Sequence, residues 1–392
     1  MFETLTPPKE DAILKLMALY RADDRPGKLD LGVGVYRDDQ GRTPVMRSVK
    51  AAERKVHDAQ DTKSYVALLG APDFGDALRD LVLGDAVPAD AVAVAATPGG
   101  TGALHMGFEL IRKAAPGATV WLPRPTWPNH AAILKHLGME MREYRYAAAD
   151  GSLDFDGMLD DLGAAQPGDA VVLHGCCHNP TGVDPDAQMW GTIADLMNDR
   201  GLVPMVDLAY LGFGDGLVQD AEGLRLIARR CPEVLLGVSC SKNFGVYRDR
   251  VGALMSISHD TGRIDVVRGN MATLNRLNFS FPPDHGARVV TTVLTDADLR
   301  ADWEAEVSEM RNRVNSLRAG LAAELQRQTN SDRFGMLMRQ KGMFSKLGLS
   351  GAEVEALRND HAVYAVGDSR INIAGLKLEE IPHLAQAIAA VI

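Results

Sequence analysis

The chain has 392 residues, 46% of them hydrophobic and 24% charged, and carries a formal net charge of -10. That length exceeds what one core usually holds, so two domains are expected, and no apolar run approaches the ~20 residues of a membrane-spanning helix. The acidic balance argues against nonspecific nucleic-acid binding, which needs clustered Lys and Arg, and the four cysteines (Cys176, Cys177, Cys231 and Cys240) fit neither a disulfide framework nor a zinc ribbon.

Met1 to Glu10 has no apolar core of the kind a secretory leader needs, so a cytoplasmic location is expected. The first strand of the central region is read at Ala91 to Ala95. Thr97-Pro98-Gly99-Gly100-Thr101-Gly102 follows it and leads into a helix over Gly102 to Ala114. Its glycines can bring backbone N–H groups and a helix N-terminus to an anion, although a dinucleotide turn or a plain strand-to-helix loop would read the same way. Thr119 to Leu122 is the next strand. Trp127, just before a helix over Asn129 to Leu137, offers a flat apolar face that could cover a ligand ring or fill a core.

The strand Ala170 to Leu173 runs into HGCCHNPTG from His174, where Asn179-Pro180 and Thr181-Gly182 force a turn. Two histidines and two cysteines invite a metal, but alternate strand residues face opposite sides and no further ligand cluster is visible, so no metal is expected. After a helix over Ala187 to Arg200, the strand Leu202 to Val206 ends at Asp207, with Tyr210 three residues on. A buried carboxylate needs a partner, whether a helix N-terminus, an ion pair or a ligand's protonated nitrogen.

A helix over Ala221 to Arg230 leads to the strand Val234 to Val238, and then to Ser239-Cys240-Ser241-Lys242, with Arg250 eight residues beyond the lysine. A lysine at the edge of a buried strand has its pKa lowered by desolvation and becomes usable as a nucleophile or base. Serines and an arginine around it suggest a phosphate. Lysine plus phosphate seat is what pyridoxal 5'-phosphate requires, the plain alternative being a surface turn of mixed charge.

Strands alternating with helices predict an α/β domain built on a largely parallel sheet, with ligands beyond the carboxyl ends of its strands. From Asp296 to Gln328, Trp303, Val307, Met310, Val314, Leu317 and Leu321 keep helical spacing, which predicts an interdomain helix. Strands at Arg333 to Leu349, Val363 to Val366 and Ile371 to Ala374, with a terminal helix over Ile381 to Ile392, predict a smaller α+β domain that recruits the N-terminal arm. Arg370 opens the last of these strands, where its planar fork suits a carboxylate ligand or an ion pair with Asp368.

The series PGGTGAL, PTWPNH, HGCCHNPTG, VDLAYLGFGDGL, SCSKNFGVYRDRVG, NFSFPPDHGA, GMFSKLG and SRINIAGL resembles, in order and spacing, the class I aspartate and aromatic amino acid aminotransferases of fold type I. Its pattern is closest to the bacterial aromatic branch. The match covers nearly the whole chain, from Leu31 in the arm to the Arg370 motif. It implies an α/β protein whose large domain, residues 43–304, carries a mostly parallel seven-stranded sheet, with a smaller α+β domain formed by residues 1–42 and 305–392. It also implies a pyridoxal 5'-phosphate enzyme working as a homodimer with shared active sites.

By the same resemblance, Lys242 is the Schiff-base lysine and proton shuttle, Asp207 pairs with the pyridine nitrogen, and Asn179 and Tyr210 hold the phenolic oxygen. Gly100, Thr101, Ser239, Ser241 and Arg250 hold the phosphate, Trp127 covers the ring, and His130 and His174 support Asp207 or the ring from behind. Gly34, Trp127, Asn179 and Arg370 meet the substrate, Arg370 clamping its α-carboxylate. Tyr65 and Arg276 are expected to cross the dimer interface, Tyr65 to the phosphate and Arg276 to a distal carboxylate. Two departures bear on specificity: Phe281 stands where the usual aspartate enzyme has Asn, and Lys346 replaces a common aromatic. They lean toward aromatic donors while Arg276 keeps dicarboxylates, so the expectation is a dual-specificity, ping-pong aminotransferase using 2-oxo acids such as 2-oxoglutarate. A dedicated aspartate aminotransferase is the alternative, ahead of a lyase or a noncatalytic sensor.

Overall fold

The computed structural model describes residues 1–7 and 12–392. Eleven strands occur among the described residues: β1 (Leu29–Asp30), β2 (Val92–Pro98), β3 (Val120–Arg124), β4 (Met141–Arg145), β5 (Ala170–His174), β6 (Val203–Leu208), β7 (Glu233–Ser239), β8 (Val251–Ser258), β9 (Phe344–Lys346), β10 (Val363–Tyr364) and β11 (Arg370–Asn372). Seven of them form one sheet in the order β2-β8-β7-β6-β5-β3-β4. Its ladders are parallel from β7 through β4, and β8 runs antiparallel to both its neighbours. The mostly parallel seven-stranded sheet is thus as expected.

Alternate residues of one strand feed two cores. Val171 and Leu173 of β5 join one apolar cluster, while Ala170 and Val172 join the other. Side chains alternate faces along a strand, and a sheet covered on both sides must be apolar on both. This is why β5 to β8 read as continuous apolar runs. Among the described residues no helix is long and apolar enough to cross a membrane.

Two strands of the seven-stranded sheet escaped the sequence reading for different reasons, as did the short β1 in the arm. β4 reads MREYR and exposes most of its side chains at the sheet edge, so no apolar run marks it. β8 returns directly from β7 without an intervening helix, against the alternation that identified the others. The strand expected over Arg333 to Leu349 is a correction. Asp332–Arg339 forms a 3₁₀ helix and only Phe344–Lys346 is extended. Phe334 and Leu337, three apart, are both buried, and the segment packs along the helix Ala297–Thr329; a three-residue turn eclipses such positions on one side.

The long helix was expected over Asp296 to Gln328, and Asp296 caps its first turn by accepting from the N–H groups of Asp298 and Leu299. The ends of the chain meet: β1 pairs in parallel with β10, matching Leu29 with Val363, and β11 pairs antiparallel with β9. The arm is tied further by Asn372, whose amide donates to the carbonyls of Val33 and Val35.

Candidate active site

A cavity of about 270 Å³ opens at the carboxyl ends of β5, β6 and β7. Gly34, Gly100, Thr101, Trp127, Asn179, Asp207, Tyr210, Ser239, Ser241, Lys242, Arg250 and Arg370 all line it. Tyr65 and Arg276 do not. Parallel pairing explains much of this convergence, because Asp207 faces His174 across the β5–β6 ladder and Gly237 across the β6–β7 ladder. Lys242 then follows β7 by three residues.

At the anion end, the helix Gly99–Ala114 begins directly after β2 with no side-chain cap. Its first N–H groups therefore remain available to a ligand. Gly99 has φ +72°, and a Cβ on it would lie 2.6 Å from Arg250 Nη2; a Cβ on Gly100 would lie 2.9 Å from that of Ser239. Glycines at both positions let the helix start close against these partners. The Arg250 guanidinium meets the Ser241 hydroxyl at 3.4 Å and the carbonyls of Tyr247 and Pro98, and among the described residues no carboxylate pairs with it. A cation, two hydroxyls and a helix N-terminus suit a phosphate dianion.

Lys242 is held below the ordinary lysine range, chiefly by burial and further by Arg250, with Asp207 pulling the other way. Its Nζ lies 4.8 Å from the centroid of the Tyr210 ring.

Behind Lys242 runs a directed hydrogen-bond chain. The Asn179 N–H donates to His174 Nδ1 at 3.4 Å, which makes Nδ1 the bare nitrogen. Burial, with His178 and His130 beside it, holds His174 well below its ordinary range. The neutral ring therefore carries its proton on Nε2 and donates to Thr126 Oγ1 at 3.0 Å. The Thr126 hydroxyl in turn donates to His130 Nδ1 at 2.8 Å, so His130 carries its own proton on Nε2 and donates it to Asp207 Oδ2 at 3.1 Å. Burial pushes the Asp207 carboxyl up, but the His130 hydrogen bond and nearby positive charge, including Lys242, bring it below the ordinary carboxylate range. An ionised Asp207 suits a protonated ring nitrogen.

Arg370 settles one of the open alternatives. Asp368 accepts only its backbone N–H, at 3.2 Å, and no side-chain ion pair joins the two. The guanidinium instead donates to Asn179 Oδ1 at 3.3 Å and to the Gly32 carbonyl at 2.8 Å, over the Phe344 ring. Its Nε is buried without a partner. A buried guanidinium with an unused donor fits a ligand carboxylate. These features, an uncapped helix start, a depressed amine, an ionised carboxylate and an unsatisfied guanidinium, fit pyridoxal 5'-phosphate with an amino acid beside it.

Phe344, Tyr247 and Ile13 also line the cavity, and Thr126 joins the relay; none was picked out from the sequence. Thr126 sits inside PTWPNH, but its place between His130 and His174 arises only in the folded chain, so no local signal marked it. Cys176 and Cys177 acquire a neighbour the string did not reveal, Asp220, with ligating atoms of all three within 4.8 Å. Asp220 is already filled by the N–H groups of Gly212, Gly214 and Asp215. The Cys177 hydrogen bond and burial push the Cys176 thiol up; Cys177 is pulled down by the Cys176 hydrogen bond but pushed up to about 11 by burial. Protonated thiols beside a saturated carboxylate are a packing arrangement.

Tyr65 and Arg276 lie together on the surface. Tyr65 is 84% exposed, and its ring stacks on Phe281 at 4.6 Å between centroids, with Arg276 over the same Phe281 ring.

Residues 26–388 match the family model for aminotransferase class I and II. The aromatic-amino-acid aminotransferase of Paracoccus denitrificans is 50% identical over 392 residues, covering 100% of both chains. The aspartate aminotransferase of Escherichia coli strain K12 is 43% identical over 396 residues, again covering 100% of both. A solved aromatic-amino-acid aminotransferase from Burkholderia pseudomallei, described as covalently bound to pyridoxal phosphate, is 39% identical with a TM-score of 0.97, covering 100% of this chain and 99% of that one. The chain therefore belongs to the class I and II aminotransferase family, enzymes that use pyridoxal 5'-phosphate to move amino groups between amino acids and 2-oxo acids.

Proposed function

We propose that this aminotransferase accepts both aromatic amino acids and the dicarboxylates aspartate and glutamate, with 2-oxoglutarate among its acceptors, and works as a cytoplasmic homodimer whose sites are shared. Residues 43–304 form its large domain, and residues 1–42 with 305–392 its small one. The observation that carries the site assignment is Lys242, a buried amine depressed by desolvation inside the one cavity that also holds Asp207 and Arg370. Free cysteines throughout suit a reducing compartment.

When bound, the cofactor supplies an electron sink that makes a substrate Cα–H bond acidic. Lys242 would hold the cofactor covalently through its amine, and that amine, when free, would serve as the base and acid for the proton at the substrate Cα. Asp207, fed by the His130 relay, keeps a proton on the pyridine nitrogen. Asn179 and Tyr210 donate to the phenolic oxygen. The phosphate is held by the N–H groups of Gly100 and Thr101, by Ser239, Ser241 and Arg250, and by Tyr65 from a second copy. Arg370 grips the α-carboxylate and so orients the Cα–H bond, while Gly34 and Trp127 bound the substrate space. Arg276 of the second copy meets a distal carboxylate.

Lys242→Ala is expected to keep the cofactor through the phosphate seat yet lose the near-visible absorbance of lysine-bound pyridoxal and nearly all transamination. Turnover near that of the parent enzyme would overturn the assignment. Retention of Arg276 favours a second reading, a dedicated aspartate aminotransferase, and a panel of amino donors separates the two.

A further inference from the structure

The helix Ile264–Asn278 ends in an unusual turn. Ser280 has φ +68°, in the left-handed region, and the Phe281 N–H donates to the Phe279 carbonyl at 2.8 Å. Such a conformation is strained for a residue with a side chain and persists where its surroundings require it. Here it folds the chain back so that Phe281 lies beneath Arg276, whose guanidinium carbon is 5.7 Å from the ring centroid. Arg276 also donates to the Ser280 hydroxyl, and among the described residues it has no carboxylate partner. The same Phe281 ring stacks on Tyr65 with an interplanar angle of 15°. Tyr65 and Arg276 are 211 residues apart in sequence, and a single phenyl ring supports both.

We propose that Phe281 is a positioning residue for specificity. In each copy one ring fixes both the hydroxyl that reaches the partner's phosphate and the guanidinium that meets a distal carboxylate there, so cofactor retention and dicarboxylate preference are coupled through it. This rests on the shared-site reading given above. The physical basis is the conformational freedom of an exposed arginine and tyrosine, which must otherwise be lost when the ligand binds. A ring that attracts the cation and stacks on the tyrosine removes part of that loss beforehand.

The test uses the full-length holoenzyme and its single half-reactions, amino donor mixed with enzyme and followed by the near-visible absorbance, together with the rate of cofactor release. Phe281→Leu is expected to weaken the apparent affinity for aspartate roughly three- to ten-fold at an unchanged limiting rate, to leave phenylalanine within about two-fold, and to speed cofactor release. Phe281→Tyr, which keeps the ring, should restore all three. Equal losses for aspartate and phenylalanine would reduce Phe281 to a packing residue and overturn the proposal, as would no change in aspartate affinity or in cofactor release. Arg276→Ala and Tyr65→Ala run in parallel. If Arg276→Ala leaves aspartate unaffected, the shared-site reading itself fails; if it weakens aspartate and Phe281→Leu does not, only the role of Phe281 falls.

Discussion

Lys242 trades stability for reactivity. Because its pKa in the folded protein lies below that of an ordinary lysine, the folded apoprotein binds fewer protons than the unfolded chain between the two values, and its stability rises with pH across that window. Below the folded pKa the full penalty for burying the charge is present; above the ordinary value, about 10.4, it is gone. Lys242→Met in the apoprotein is therefore expected to be more stable than the parent at neutral pH, with the gap closing toward pH 10. Urea midpoints across that range check the sign, and a parent apoprotein more stable than the variant at pH 7 would contradict it. At this scale much of the site was legible, since Lys242, Asp207, Asn179 and Arg370 each stand in a short string whose neighbours betray the backbone around them. Thr126 and Phe344 were not, because a hydroxyl between two rings or a phenyl under a guanidinium acquires meaning only from residues far along the chain.

Among the elements, β8 matters most for the phosphate seat although the sequence did not single it out. Gly252 pairs with Thr97 of β2 on one side and Ser239 of β7 on the other. A Cβ there would lie 2.6 Å from the Gly99 carbonyl carbon and from the Val238 oxygen, both backbone atoms that cannot swing aside. Gly252→Ala should force apart the two segments that supply the helix start and the serines, costing about 1–3 kcal/mol of stability and weakening the hold on the phosphate. Thermal unfolding together with a pyridoxal phosphate binding isotherm would show whether both fall. The parallel strands were visible because burial on both faces demands unbroken apolar runs. β4 at the edge and the 3₁₀ segment Asp332–Arg339 were hidden: one has no apolar signature, and the other places Phe334 and Met336 two apart, the alternation of a short strand.

For the whole molecule, Tyr65 and Arg276 stand outside the cavity they were expected to serve, and their shared position on the surface makes a test at the level of the dimer. A Lys242→Ala chain and an Arg276→Ala chain, each poor with aspartate alone, should regain aspartate turnover when refolded together. In a mixed dimer the intact Lys242 of one copy receives the intact Arg276 of the other. Mixtures no more active than the sum of the separate preparations would mean that each chain serves its own site. The sequence by itself determined the family, the central run of parallel strands and helices and the polar side chains at the heart of the cavity, because glycine-rich turns, apolar runs and strand-end lysines carry local physical constraints. Only the tertiary structure decided that Arg370 turns away from Asp368 toward Asn179, that three residues relay one hydrogen-bond direction into Asp207, and that Phe281 carries both Tyr65 and Arg276. Those are contacts between distant segments, and distance along the chain holds no record of which atoms will face each other once the sheet has closed around them.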